Sequence, residues 1–156
     1  MFRLSAGCVL ALWLLAPAAA QDARVWVFDD NPEAPALEFG VPESDVILIA
    51  FSCEPAARRM SIVESVAAAK LLPGRPAALK LSAGAVTLAL TGDAVANETD
   101  GTVSIEVNGA PIPRVIALLK AGPALIIDVA GTQETIPLTS AAPHIPAFEK
   151  LCLGRR

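Results

Sequence analysis

The feature that most constrains this chain is its apolar stretch from Asp45 to Cys53, DVILIAFSC. It lies between Pro42 and Pro55 and is the most apolar run outside the extreme N-terminus. A short run rich in Val, Ile and Phe between prolines predicts a β-strand that is buried on both faces. Because the run ends in Cys53, any pairing of that cysteine ties a distant part of the chain to this strand.

Residues 1–20 have the order of a secretory signal peptide. Arg3 supplies the positive charge, residues 9–15 form a short apolar run, and residues 17–20 are small residues before Gln21. The apolar run is too short for a permanent transmembrane helix. The Ala-, Pro- and Arg-rich composition favours a bacterial source. We therefore predict a signal peptide at 1–20 and a periplasmic or secreted single domain at 21–156.

Export leaves one possible cysteine pair inside the chain. Cys8 is lost with the leader, so Cys53 and Cys152 remain, and two cysteines in an oxidising compartment usually form a disulfide. The bridge would close a loop of about 100 residues, for which the chain-entropy model gives about 4.7 kcal/mol. The alternative is a reactive thiol, but neither cysteine belongs to a Cys-x-x-Cys motif. The pattern favours the structural bridge.

The charge of the chain argues against two classes of partner. It has 16 acidic and 12 basic side chains, for a net charge of −4, and loss of Arg3 makes the domain one unit more negative. Such a domain has no electrostatic basis for binding nucleic acid or anionic lipid. After cleavage no segment remains that is long and apolar enough for stable membrane insertion. Residues 29–54 contain acidic but no basic side chains, without the spacing of a calcium loop, and so predict a solvated acidic surface.

Strand and turn signals fill most of the remaining chain. They predict eight or nine strands, among them separate strands at 86–91 and 94–99, with a two-residue hairpin turn at Asp100 and Gly101. Helical spacing appears at 113–121 and 145–152, and Pro137 predicts that its strand is an edge or is near its end there. The predicted fold is mainly β (β-rich α+β): an antiparallel sandwich or barrel-like sheet with one or two short C-terminal helices.

The sequence offers few residues for chemistry. His144 is the only histidine, and it is predicted to be an exposed loop residue without a catalytic partner at a recognisable spacing. We predict no catalytic residue, no metal site and no cofactor. The candidate ligand or partner surface comprises two aromatic residues and three neighbouring carboxylates: Trp26, Phe28, Asp29, Asp30 and Glu33. For the two aromatic residues a core position is the favoured alternative.

Three short motifs resemble those of exported bacterial, in particular proteobacterial, single-domain proteins of uncharacterised families with one paired-cysteine bridge. They are an early strand with Trp26, a strand ending in Phe51-Ser52-Cys53, and a terminal helix in which Phe148 precedes Cys152 by four residues. The resemblance implies a secreted α+β or mainly β domain and no activity.

These features favour an exported periplasmic binding or protein-interaction module without catalytic activity, whose partner is a protein or a small-molecule ligand. One alternative is an inhibitor of a cell-wall or host hydrolase, because a small acidic domain can plug a basic cleft. Another is a small hydrolase that uses two carboxylates from the acidic stretch. A glycosidase of this kind would need two carboxyl groups about 5–9.5 Å apart.

Overall fold

The computed structural model describes residues 24–65, 71–98 and 101–154, so the predicted signal peptide lies outside the described residues. Nine strands and two helices occur in this part of the chain. Their bounds are β1 Val25–Asp29, β2 Ala36–Gly40, β3 Ile47–Glu54, β4 Arg59–Glu64, β5 Pro76–Ala83, β6 Val86–Ala96, β7 Val103–Ala110, α1 Ile112–Leu119, β8 Ala124–Val129, β9 Thr132–Pro137 and α2 Ile145–Cys152.

All nine strands form one antiparallel sheet, which curls into a half-barrel. Its strand order is β1-β2-β3-β4-β7-β6-β5-β8-β9. Hairpins supply most of the neighbours, as the turn signals predicted. The mainly β prediction is confirmed, and of the two predicted architectures the single curled sheet is the barrel-like one.

The core lies on the inner face of the curled sheet, and β3 shows how the sequence builds it. Ile49, Phe51 and Cys53 are buried, whereas Ala50 and Ser52 between them are only half-buried. The prediction that this strand is buried on both faces is therefore wrong. A single sheet has one core side, and successive side chains of a strand alternate between its two faces.

Both helices cover one end of the half-barrel, which we call the helix-capped end. Helix α1 packs against β5, β6 and α2. Helix α2 has its predicted bounds, and the disulfide between Cys53 and Cys152 joins its last residue to β3 with the two Cα atoms 5.6 Å apart. The bridge prediction is confirmed, and each cysteine is only 2% exposed.

The hairpin of β6 and β7 differs from the prediction in its first strand. Strand β6 is continuous through Gly92. A Cβ at this position would come within 2.4 Å of the Glu106 carbonyl oxygen, so the glycine marks a close contact between strands and not the end of a strand. Beyond β6, the Asn97 N–H donates to the Thr102 carbonyl, and Gly101 has a positive φ. Asp100, the other residue of the predicted turn, lies outside the described residues.

The two edge strands, β1 and β9, face each other across a seam. They run in the same direction, because the sheet has an odd number of antiparallel strands, and each pairs on one side only. Side chains bridge the seam: Arg24 forms a 2.7 Å ion pair with Glu134, and Trp26 Nε1 donates to the Pro137 carbonyl at 2.6 Å. The prediction that Pro137 lies in an edge strand is confirmed.

Candidate functional site

An apolar groove lies at the helix-capped end, between the end of α1 and the segment that leads into α2. Its volume is about 390 Å³, which is within the range of small-molecule sites, about 300–1,000 Å³. Most of its lining is apolar: Leu119, Lys120, Ala121, Gly122, Pro123, Leu138, Thr139, Ala142, Ile145 and Pro146. We call this cavity the capped-end groove.

Short-range features of the sequence hold the walls of the capped-end groove in place. The residues after α1 pack directly on the β5–β6 turn, because Gly84 leaves no side chain there; a Cβ would be 2.2 Å from the Ala121 carbonyl oxygen. On the other wall, the Leu138 N–H donates to the Pro123 carbonyl at 2.7 Å. The Leu138 carbonyl in turn accepts the Ala142 N–H at 3.1 Å, which closes the turn that follows. Backbone packing and backbone hydrogen bonds thus fix the walls of the groove.

The charges beside the capped-end groove balance each other. The Lys120 ammonium pairs with the Glu149 carboxylate of α2, which joins the end of α1 to the second helix. The other polar side chain in the lining is the hydroxyl of Thr139. With its one cation already paired, the groove is chemically suited to an uncharged apolar group.

The structure places Trp26 and Phe28 in or beside the core, not in the groove. Trp26 is 5% exposed, and its ring centroid lies 5.3 Å from that of Phe39 and 6.2 Å from that of Phe51. Phe28 is half-buried and lies edge-on to Phe148, with ring centroids 6.3 Å apart. These contacts agree with the core interpretation that the sequence pattern favours.

The three carboxylates of the candidate surface lie at the end of β1, for Asp29, and in the exposed loop that follows it, for Asp30 and Glu33. Asp29 Oδ1 accepts the Asn31 N–H at 3.0 Å, and Asn31 Oδ1 accepts the Glu33 N–H at 3.1 Å, so local turns order the loop. Asp30 is exposed beside them. None of the three lines the groove.

Of the four other acidic residues of the 29–54 stretch, Glu38 lies within β2 and the other three are divided between the two ends of the sheet. Glu54 lies at the same end of the sheet, but Glu43 and Asp45 lie in the β2–β3 loop at the opposite end, because the strands are antiparallel. All three are exposed. Among the described residues, no group of three or more His, Cys, Asp or Glu side chains is arranged to hold a metal ion.

His144 differs from its prediction as an exposed loop residue. It lies in the turn directly before α2, makes no side-chain capping hydrogen bond, and is half-buried, with its ring centroid 5.9 Å from that of Phe28. Its N–H donates to the Ala141 carbonyl at 2.8 Å. The residue therefore contributes to the packing of α2 on β1.

Two features were missed from the sequence. The capped-end groove was missed because its lining comes from separate segments, of which only Gly122 and Pro123 carried a signal, as a helix stop. Glu64 was missed because a carboxylate made its face of β4 look mixed. Glu64 is 0% exposed and pairs in register with Ile49 and Ile105. Its even spacing from Met60 along the strand was therefore the signal that correctly predicted an inward position.

Comparison with protein-family models, with curated proteins and with solved structures finds no match to this chain. Within the described ranges, no helix has the length and apolar character needed to cross a membrane. The geometry of the fold and of its surfaces therefore has to support any assignment of function.

Proposed function

We propose that the chain is an exported, disulfide-linked binding module that acts without catalysis and holds a small uncharged apolar ligand in the capped-end groove. The observation that supports this proposal is the groove itself: a ligand-sized volume of about 390 Å³, lined mainly by apolar side chains, in the described part of the chain. Ligand sites of soluble proteins are typically concave and mostly apolar, with few polar groups.

The rigidity of the groove supports the same role. Its two walls are connected by backbone hydrogen bonds, and α2 is fixed to the sheet by the disulfide at Cys152. A preformed site loses little conformational freedom when a ligand binds, so more of the contact free energy is available as affinity. The ion pair of Lys120 and Glu149 favours an uncharged ligand over an anion or a cation.

Binding is tested with N-phenyl-1-naphthylamine, an uncharged apolar fluorophore, added to the purified disulfide-linked protein. We expect saturable binding that Ala142→Trp removes, because Ala142 lines the groove and a large ring there fills it. Ala147→Trp is the matched control, since Ala147 is exposed on α2 and does not line the groove. Absence of saturable binding, or equal loss in both variants, would contradict the proposal.

The proposed export rests on the order of charge, apolar run and small residues at 1–20, and on the disulfide between two buried cysteines. Disulfides of this kind persist in oxidising compartments. Intact-mass measurement of protein from the cell envelope tests it. We expect a chain that begins at Gln21; a chain that still begins at Met1 would reject export with cleavage after Ala20.

The hydrolase alternative requires two carboxylates that converge on one cleft. Glu43 and Asp45 are separated from Asp29, Asp30 and Glu33 by the length of the strands, and no observation on the described residues favours it over binding. A screen of glycoside and ester substrates decides between the two. Turnover that is abolished by Asp29→Asn or Glu33→Gln would replace the binding proposal.

A further inference from the structure

The outer face of β1–β3 carries a second surface, separate from the capped-end groove. Val25 and Val27 of β1 are 41% and 46% exposed, and Val46 of the β2–β3 loop is 57% exposed. Val25 lies in register with Gly40, which in turn pairs with Ile47 of β3, and Val27, Val41 and Ile47 line one shallow depression on this face. We call the group of Val25, Val27, Val41 and Ile47, together with the exposed Val46 of the adjoining loop, the valine face.

In the described part of the chain, the charged side chains on the valine face and in its loop are Glu38, Glu43 and Asp45, while the neighbouring Arg24 is paired with Glu134 across the seam. Glu38 is the register partner of Val27, and Glu38 and Glu43 line a shallow depression of about 90 Å³ together with Val27. Asp45 is exposed next to Val46. These three carboxylates form no ion pair in the described part of the chain, in which the salt bridges involve other acidic residues. The face thus has an apolar centre and an unneutralised acidic rim.

The loop beside the valine face is ordered before any partner binds. The Val41 N–H donates to the Val46 carbonyl at 2.9 Å, the Ser44 hydroxyl donates to the Val41 carbonyl at 2.9 Å, and the Val46 N–H donates back to Ser44 Oγ at 3.2 Å. Gly40 permits this folding-back, since a Cβ there would be 2.4 Å from the Val46 carbonyl oxygen. Binding therefore requires little further ordering of the loop.

We propose that the valine face binds a cationic protein segment, one in which Lys or Arg side chains alternate with apolar ones. Charge complementarity argues for this partner, because basic side chains would neutralise Glu38, Glu43 and Asp45 while apolar ones cover the valines. The proposal goes beyond ligand binding in the groove, which lies at the opposite end of the sheet.

Other occupants fit the valine face less well. A second copy of this chain, docked symmetrically, would place the same acidic rim against itself. Nucleic acids and anionic lipid surfaces carry the same sign of charge as the rim. The depression beside Val27, at about 90 Å³, is well below the volume of a typical small-molecule site. An inhibitor of a hydrolase with a basic cleft would use this same chemistry.

The partner is expected to bind through side chains on the face and not as an added strand. The free edge of β1 lies at the seam, where Arg24 contacts Glu134 and Trp26 contacts Pro137. An inserted strand would have to displace both contacts. The outward side chains of β1 can be reached without disturbing the seam.

The test uses a synthetic peptide of alternating Lys and Leu residues, measured by calorimetry and by NMR shift mapping on the purified disulfide-linked protein. We expect saturable binding with shift changes at residues 25–27 and 38–47, and weakening as the salt concentration rises. The double variant Glu38→Lys/Glu43→Lys should weaken binding by about tenfold or more. Val46→Ser, at an exposed loop position, should weaken it by about threefold or more.

The matched control is Asp30→Lys/Glu33→Lys, which reverses two charges at the other end of the same hairpin. It should change the affinity by less than about threefold. Three outcomes overturn the proposal: a loss in this control equal to that in the Glu38 and Glu43 variant, an all-Lys peptide that binds as tightly, or shift changes confined to the groove. Dimerisation of the wild type that Val46→Ser removes would also overturn it, in favour of a second copy.

Discussion

Removal of the disulfide with the double variant Cys53→Ala/Cys152→Ala should destabilise the domain strongly. The bonded residues are 99 positions apart, and the chain-entropy model assigns about 4.7 kcal/mol to a closed loop of that length. Residual structure in the unfolded chain reduces this value, while the loss of two buried sulfur atoms adds a packing cost. We therefore expect the free energy of unfolding to fall by about 2–5 kcal/mol.

The effect on the native state should be largest at α2. The bridge joins the last residue of this helix to β3, and without it the helix is held by side-chain packing, chiefly of Ile145 and Phe148. Cys53 and Cys152 are both 2% exposed, so we expect the single variants Cys53→Ala and Cys152→Ala to lower the free energy of unfolding by similar amounts.

Urea unfolding gives the change in free energy, and amide hydrogen exchange shows where the native state loosens. In the double variant the amides of α2 should exchange faster than those of β3. The folded wild type should show no thiol that reacts before reduction. A loss of less than about 1 kcal/mol, or faster exchange in the central strands with α2 unchanged, would refute the role assigned to the bridge.

Three further predictions concern packing. Gly92→Ala should cost about 1–3 kcal/mol in urea unfolding, because its Cβ meets the Glu106 carbonyl at 2.4 Å. A near-neutral result would show that β6 and β7 separate easily. Trp26→Phe removes the donor to the Pro137 carbonyl and should cost about 1–3 kcal/mol, with faster exchange at the β9 edge; unchanged exchange there would contradict the bridging of the seam. Phe148→Ala should cost about 3–5 kcal/mol by the same assay, since this side chain is fully buried; a loss below about 1 kcal/mol would mean that α2 contributes little to the core.

Local sequence patterns were sufficient to predict most of the elements. The bounds of β8 and α2 follow from a change of period between Gly or Pro residues, and the position of Pro137 identified an edge strand because proline cannot donate to a ladder. The cysteine count identified the bridge, because the predicted loss of Cys8 with the signal peptide leaves a single possible pair. Each of these signals acts over a few residues or depends on counting alone.

The misses all involve contacts between residues that are distant in sequence. Gly92 looked like a strand boundary, but its role is set by the approach of Glu106 across the sheet. The apolar run before Cys53 looked doubly buried, but the chain makes one sheet, which leaves Ala50 and Ser52 on its outer side. The capped-end groove was missed for the same reason, because its walls meet only after the sheet has curled.

The seam links the architecture to the surfaces that remain available for partners. An open sheet leaves unpaired backbone groups at its edges, and proteins usually protect such edges with charges, proline or side-chain cover. Here Glu134 and Pro137 of β9 contact Arg24 and Trp26 at β1. With its edge protected in this way, β1 still presents Val25 and Val27 outward, beside the carboxylates of Glu38 and Glu43. If β1 were exposed only because it is an edge strand, the ordered loop and the acidic rim beside its valines would have no role. We therefore propose a protein partner for the valine face, and not the addition of a strand to the edge of β1.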